Sequence, residues 1–259
     1  MIPLGLAGAE AQLLIWFLAM IRPGAALLAA PLFGSSAVPV QVRIILSLAV
    51  GIPAASASGM VVPPEGAISV AGFMLIAGEV ILGLGLGFAI QIGFAAALIA
   101  GEAIGNAMGL GFASMQDPMS GHSSTAVGQF LNMVATALFL CVGGHLALIE
   151  IVVTSFKTMP PGHSWLTAEA IRGILEFGGL MFAAGLSIAL PVAFALVMVQ
   201  IVMGTITRSA PTLNLFAVGI PATVLAGIAL LAIAMPVMAD AIEHALRLGI
   251  DQSRLLAGL

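Results

Sequence analysis

The sequence contains few charged residues, and this scarcity decides its broad class. Asp, Glu, Lys and Arg make up only 7% of the 259 residues, whereas 61% are hydrophobic and the mean hydropathy is +1.21. An average soluble domain has roughly 25% charged residues. Since so few charges cannot cover a soluble surface of ordinary size, the composition excludes a typical soluble domain and indicates a membrane protein.

Basic residues and cysteines are also scarce. The seven Lys and Arg residues are scattered from Arg22 to Arg254 and the net charge is −4, so no basic surface indicates a nucleic-acid partner. Cys141 is the only cysteine, which excludes an intrachain disulfide and a multi-cysteine metal site. The first ten residues lack Lys and Arg, so we expect the first apolar stretch to remain in the mature protein rather than act as a signal peptide.

Long apolar runs dominate the rest of the chain. They cover residues 11–33, 44–57, 67–100, 127–149, 178–204 and 215–238. Within a bilayer only helices and closed barrels satisfy their backbone groups, and barrel strands alternate polar and apolar residues over about ten positions. These runs are continuous, so they predict an all-α, polytopic membrane-type fold built from kinked helical hairpins. Residues 165–177 predict a separate, short surface helix.

Two of the apolar runs have an unusual length for a membrane span. Residues 44–57 are short against the roughly 20 residues that a span needs. Residues 67–100 would form a helix of roughly 50 Å, longer than the apolar core of a bilayer, which is about 30 Å thick. Neither run therefore has the length of one ordinary membrane span.

Glycines recur at the spacing of one helix face. Gly101, Gly105 and Gly109 are four residues apart, and Gly83 and Gly87 repeat the same interval. Such a stripe lets another backbone approach closely, although glycine is also common in membrane helices generally. The regular spacing favours helix packing.

Two acidic residues lie within or next to apolar helices. An acid at the centre of a bilayer costs about 3 kcal/mol on insertion scales, so Glu79 and Glu102 either face protein or a water-filled lumen or do not lie at mid-bilayer depth. They are either a proton or ion relay, or polar contacts between helices or subunits. The relay is the weaker hypothesis, because neither has a second carboxylate one turn away on the same run.

Residues 110–125 form the most unusual segment, with glycines, hydroxyls, one proline, one acid and two methionines between two apolar runs. Irregular backbone at membrane depth must be buried in protein or line a cavity, and methionine suits a compliant seal. The segment is either a gating or plugging loop or an ordinary extramembrane loop. Its candidate residues are Gly109, Gly111, Phe112, Ser114, Met115, Gln116, Asp117, Pro118, Met119 and Gly121.

Catalytic and metal-binding patterns are weak in this sequence. His122 and Ser123 follow a glycine, but the serine elbow would need glycine where Thr125 stands. No histidine is followed by a second metal ligand three or four residues further along the chain. We therefore expect no enzyme activity, no metal and no cofactor. An intramembrane hydrolase that uses His122, Ser123 or Asp117 stays as a minor alternative.

Several spaced patterns together resemble a known family over essentially the whole chain. They are Arg22, Pro31, Phe33, Val38-Pro39 and Arg43; Gly101-Glu102-Ala103-Ile104-Gly105, Met108 to Ala113 and Asp117-Pro118; Gly143-Gly144-His145; and Arg208, Pro211, Leu213-Asn214-Leu215, Gly219 and Pro221. Each pattern alone is weak, but their shared order resembles the FliR family of flagellar biosynthesis proteins, which has virulence counterparts in type III secretion.

The resemblance implies a structural and gating subunit of the flagellar protein-export gate. It implies FliP- and FliQ-type subunits as partners, FlhB- and FlhA-type neighbours, a location in the bacterial inner membrane at the flagellar basal body, and unfolded flagellar proteins as the cargo.

Residues 1–177 would be similar to FliP and residues 178–259 to FliQ. The plug would map onto residues 109–121, and Glu79 and Glu102 would become contacts between subunits. The alternative is a small-molecule or ion transporter that couples through Glu79 or Glu102.

Overall fold

The computed structural model describes residues 4–58, 69–111, 124–162, 167–209 and 218–259, with side chains from Gln12 onward. These ranges contain seven α-helices and no strand, which confirms the all-α prediction. The helices are α1 (Leu4–Ala29), α2 (Val40–Ser58), α3 (Val70–Ala107), α4 (Ala126–Cys141), α5 (Gly144–Thr158), α6 (Ala168–Ser209) and α7 (Ile220–Leu256).

Five of these helices, α1, α2, α3, α6 and α7, are long and apolar enough to cross a membrane. The broken pair of α4 and α5 counts as a sixth if the two together form one span. At 1.5 Å per residue, the 38 residues of α3 and the 42 residues of α6 extend about 57 Å and 63 Å. Both helices are therefore much longer than the apolar thickness of a bilayer, which is about 30 Å.

Two predicted boundaries are wrong. The run 127–149 is not one helix, because Gly143 adopts a left-handed φ of +76° and separates α4 from α5. The short surface helix predicted for residues 165–177 is instead the beginning of α6, which continues without a break to Ser209. Its charged residues Glu169, Arg172 and Glu176 are compatible with a helix. The hydropathy therefore changes between residues 177 and 178, while the helix continues.

The described chain divides into two compact units. Residues 1–92, 143–177 and 247–259 form the first, and residues 93–142 and 178–246 form the second. In the first unit, Leu82, Leu86 and Phe156 are fully buried, and the Ser253 hydroxyl at the end of α7 donates to the Leu86 carbonyl over 3.0 Å. The helices α3, α6 and α7 contribute residues to both units.

The second unit has a core of its own. Its fully buried residues come from α3, α4, α6 and α7, and the rings of Phe94 and Phe139 meet edge to face with 5.3 Å between centroids. The fully buried apolar side chains of this unit include Ile104, Leu131, Phe139, Leu196 and Ile242. This core fixes the end of α3 and the beginning of α4, which flank residues 112–123.

Candidate functional site

A fully buried ion pair joins α1 to α3 in the first unit. Arg22 and Glu79 both have 0% exposed side chains, and the guanidinium donates two hydrogen bonds to the carboxylate. The Nε–Oε2 distance is 2.7 Å and the Nη2–Oε1 distance is 2.8 Å. This two-point geometry is the strongest form of the Arg–carboxylate contact.

The same guanidinium also contacts α5. Its Nη1 donates to the Ser155 hydroxyl over 3.0 Å, and its Nη2 donates to the Met159 carbonyl over 2.8 Å. The Arg22 Cζ lies 4.3 Å from the centroid of the Phe156 ring, which adds a cation–π contact. One side chain therefore ties together α1, α3 and the end of α5. We call Arg22, Glu79, Ser155, Phe156 and Met159 the arginine node.

The arginine node gives Glu79 a partner that the sequence analysis did not identify. Glu79 was predicted to face protein or water, and in the structure both of its carboxylate oxygens accept from Arg22 of the same chain. The signal that could have found the pair is the position of Arg22, because a charge inside the first apolar run needs a compensating charge as much as Glu79 does.

Gly83 and Gly87 lie beside the arginine node, where α3 packs closely on α1. A Cβ on Gly83 would lie 2.8 Å from the Ala25 Cβ, and one on Gly87 would lie 2.8 Å from the Ala30 backbone nitrogen. Real Cβ atoms essentially never approach this closely. The two glycines therefore let the α3 backbone come near enough for Glu79 to reach Arg22.

The second polar site joins the end of α3 to the beginning of α4. The Thr125 backbone N–H donates to the Glu102 Oε1 over 2.8 Å, and the Thr125 hydroxyl accepts from the Gly128 N–H over 3.0 Å. Thr125 is thus the N-cap residue of α4, and Glu102 satisfies the N–H of that cap. We call Glu102, Thr125 and Gly128, with Gly101 and Gly105, the stem.

Close backbone packing accompanies the hydrogen bonds of the stem. A Cβ on Gly101 would lie 2.5 Å from the Gly128 Cα, and one on Gly105 would lie 2.7 Å from the Thr125 Cβ. Gly109 does not extend this stripe, because it lies beyond the end of α3 with a φ of +85° and has nothing within 4 Å of an added Cβ. The left-handed φ suits glycine, which lets the chain leave the helix there.

Side chains from α6 and α7 fix the last carbonyls of α3. The Gln200 Nε2 donates to the Ala107 carbonyl over 2.6 Å, and the Thr223 hydroxyl donates to the Met108 carbonyl over 3.2 Å. Carbonyls at a helix end have no partner within the helix, so these bonds replace the missing ones. The part of the chain that precedes residues 112–123 is consequently held by α6 and α7.

Most of the predicted plug lies outside the described residues. Gly109 and Gly111 are described, whereas Phe112, Ser114, Met115, Gln116, Asp117, Pro118, Met119 and Gly121 are not. His122 and Ser123, on which the hydrolase alternative depends, are also outside that range. In the part of the chain that is described, no group of three His, Cys, Asp or Glu residues is arranged to hold a metal ion.

Comparison with known proteins decides the family. The sequence profile of the bacterial export proteins, family 1, matches residues 13–248. The flagellar biosynthetic protein FliR of Escherichia coli (strain K12) is 35% identical over 230 residues, which are 89% of this chain and 87% of that protein. FliR of Bacillus subtilis (strain 168) is 28% identical over 94% of this chain and 95% of its own length.

The chain belongs to the family of bacterial export proteins, family 1. The FliR protein of Caulobacter vibrioides is also similar, with 27% identity over 86% of this chain and 89% of its own length. This confirms the predicted FliR resemblance and makes the chain a component of the flagellar type III export gate. The apolar helices and the family membership together show that the chain is a membrane-embedded, structural part of that apparatus.

Proposed function

We propose that this export-family chain is a structural and gating subunit that forms, with FliP- and FliQ-type subunits, the channel through which unfolded flagellar proteins leave the cell. Residues 109–121 form the gate of the closed channel, and Phe112 to Met119 block it. FlhB- and FlhA-type proteins are the neighbours of the assembly in the bacterial inner membrane. The chain transports cargo without catalysing a reaction of its own.

The stem is the observation that carries the gating role. Glu102 holds the N-cap of α4, and Gly101 and Gly105 bring the two helix ends into backbone contact. The end of α3 and the beginning of α4 are therefore in direct contact on the two sides of residues 112–123 in the chain. A segment anchored in this way can project from a fixed base, as a plug must, while Gln200 and Thr223 hold that base from two further helices.

The uncovered apolar surface of α6 and α7 supports a role within a larger assembly. Only 17% and 22% of their most apolar windows are buried within the chain. Large exposed side chains follow one another along α6, among them Phe182, Leu186, Leu190 and Phe194. Contiguous apolar surface of this size marks contact with other proteins or with lipid. We propose that residues 178–259 are the FliQ-like part, and that residues 1–177 are the FliP-like part.

The transporter alternative has less support. It needs a carboxylate that exchanges its partner during transport, and Glu79 is instead held by two hydrogen bonds from the fully buried Arg22. Glu102 is engaged by the N-cap of α4. Both carboxylates have a structural task within the chain, so we favour the gate.

Deletion of residues 111–120 tests the gating role. The deleted chain would be produced together with its partner subunits, and the leakage of small ions through the cell membrane would be measured beside flagellar secretion. We expect a marked rise in ion leakage, because the stem would remain while the plug is missing. A membrane that stays tight, with normal secretion, would remove the gating role.

A further inference from the structure

Three uncharged polar side chains lie at helical spacing on α4, whose exposed side also carries Phe130, Met133 and Leu140. Gln129 and Asn132 are exposed and Thr136 is partly exposed, at intervals of three and four residues. Residues with this spacing lie on one side of a helix. The opposite side is apolar and packed, with Val127, Leu131, Ala135 and Phe139 buried. We call Gln129, Asn132 and Thr136 the amide stripe.

The hydrogen-bonding capacity of the amide stripe is only partly used by the chain itself. The Thr136 hydroxyl donates to the Asn132 carbonyl over 2.9 Å, and the Gln129 Nε2 donates to the Ser124 carbonyl over 3.4 Å. Among the described residues, the Asn132 side-chain amide makes no hydrogen bond. An amide without partners is disfavoured in hydrocarbon, so Asn132 should face water or polar protein rather than lipid.

The amide stripe begins next to the stem on the same helix, α4. Gln129 follows Thr125 by one helical turn, and the stripe extends from there for about 10 Å along α4. It is therefore continuous with the base from which residues 112–123 leave the helices. If those residues close a channel, the side chains immediately beyond their base border the same channel.

We infer that the amide stripe lines the export passage and hydrogen-bonds to the backbone of the unfolded polypeptide in transit. This inference rests on the proposed function. Amides and hydroxyls both donate and accept, so they pair with the N–H and C=O groups of any extended chain. They carry no charge, so they neither attract nor repel a cargo segment because of the charge that the segment carries. Lining of this kind suits a passage that must accept many different sequences.

Cysteine cross-linking in the assembled gate tests the inference. Cys141 is the only cysteine of the chain, so a Cys141→Ala background leaves it free of thiols. Single variants Gln129→Cys and Asn132→Cys would be joined by a bismaleimide to a flagellar export substrate that carries one cysteine and is arrested in the channel. Ala137→Cys is the matched control, because residue 137 is exposed on α4 but lies outside the stripe. Met115→Cys reports separately on the proposed gate.

Each outcome has a distinct meaning. We expect the two stripe positions to cross-link to the substrate several-fold more strongly than position 137. Cross-linking at position 115 without cross-linking at 129 or 132 would overturn the inference and leave the gate in place. Cross-linking at none of these positions would overturn both. Cross-linking of the stripe to another export subunit instead of the substrate would also overturn the inference.

A second measurement reports on transport. We expect the double variant Gln129→Leu and Asn132→Leu to assemble normally and to lower the secretion rate several-fold, whereas Ala137→Leu should leave secretion unchanged. Equal secretion by the double variant and the control would contradict a role of the stripe in the passage.

Discussion

Removal of Arg22 should be among the most damaging single changes in this chain. Arg22→Met keeps the length of the side chain but leaves the Glu79 carboxylate buried without its two-point partner. Breaking a buried ion pair on one side typically costs about 3–5 kcal/mol. Ser155 adds little to this cost, because its hydroxyl keeps the hydrogen bond to the Val152 carbonyl at 2.7 Å. We therefore expect the free energy of unfolding to fall by about 3–5 kcal/mol.

A double-mutant cycle separates the ion pair from simple packing. Glu79→Leu alone should cost a similar amount, because it leaves the Arg22 charge buried. Replacing both partners by apolar side chains of similar size is often close to neutral, so Arg22→Met with Glu79→Leu should cost less than either single change. The matched control is Arg254→Met, which breaks an exposed pair with Asp251 whose side chains are 45% and 60% accessible, and it should cost at most about 1 kcal/mol.

The assay is unfolding of the purified chain in mild detergent by increasing SDS, followed by the loss of helical circular dichroism. The four variants and the original chain would be compared under one set of conditions. The reasoning would be refuted if Arg22→Met cost no more than Arg254→Met, or if the two single changes simply added in the double variant. Either result would mean that Arg22 and Glu79 do not depend on each other for their burial.

Three further predictions concern the stem and its supports. Gly101→Ala should cost about 1–3 kcal/mol in the same unfolding assay, because its Cβ would meet the backbone of α4, whereas Gly179→Ala, with open space around it, should cost nothing. Glu102→Ala should raise ion leakage through the assembled gate. Glu102→Gln, whose amide oxygen still accepts from the Thr125 N–H, should leave the leakage at the level of the original chain. A leakage that both variants raise equally would show that the charge of Glu102 matters instead. Gln200→Leu should destabilise the chain by about 1 kcal/mol through loss of a helix-end hydrogen bond, and no change in unfolding would contradict that bond.

The helical nature of the apolar runs follows from the sequence, because hydropathy over windows of about twenty residues directly reports what can be buried in a bilayer. Their ends are harder to predict. Residues 169–176 are polar enough to suggest a separate helix, yet polarity does not break a helix, and α6 continues through them. Gly143 was recognised as part of a pattern, but only its left-handed φ reveals the break between α4 and α5.

The spacing of residues in the sequence does not predict which distant residues pair. Glu79 and Glu102 stand out as acids in apolar surroundings, but their partners are an arginine 57 positions away and a backbone N–H 23 positions away. No periodicity connects such positions, since the contact depends on how the helices pack. The spacing of Gly101, Gly105 and Gly109 indicates a shared face, yet it does not say that α3 ends at Ala107 and leaves Gly109 outside.

Native mass spectrometry of the complete assembly tests the central claim most directly. The chain would be produced together with FliP- and FliQ-type subunits, purified in mild detergent through an affinity tag on this chain, and weighed intact. The account predicts a single large assembly that holds one copy of this chain with several copies of the other two subunits. A lone monomer or a small symmetric homo-oligomer, obtained while the partner subunits are present in the membrane, would contradict it.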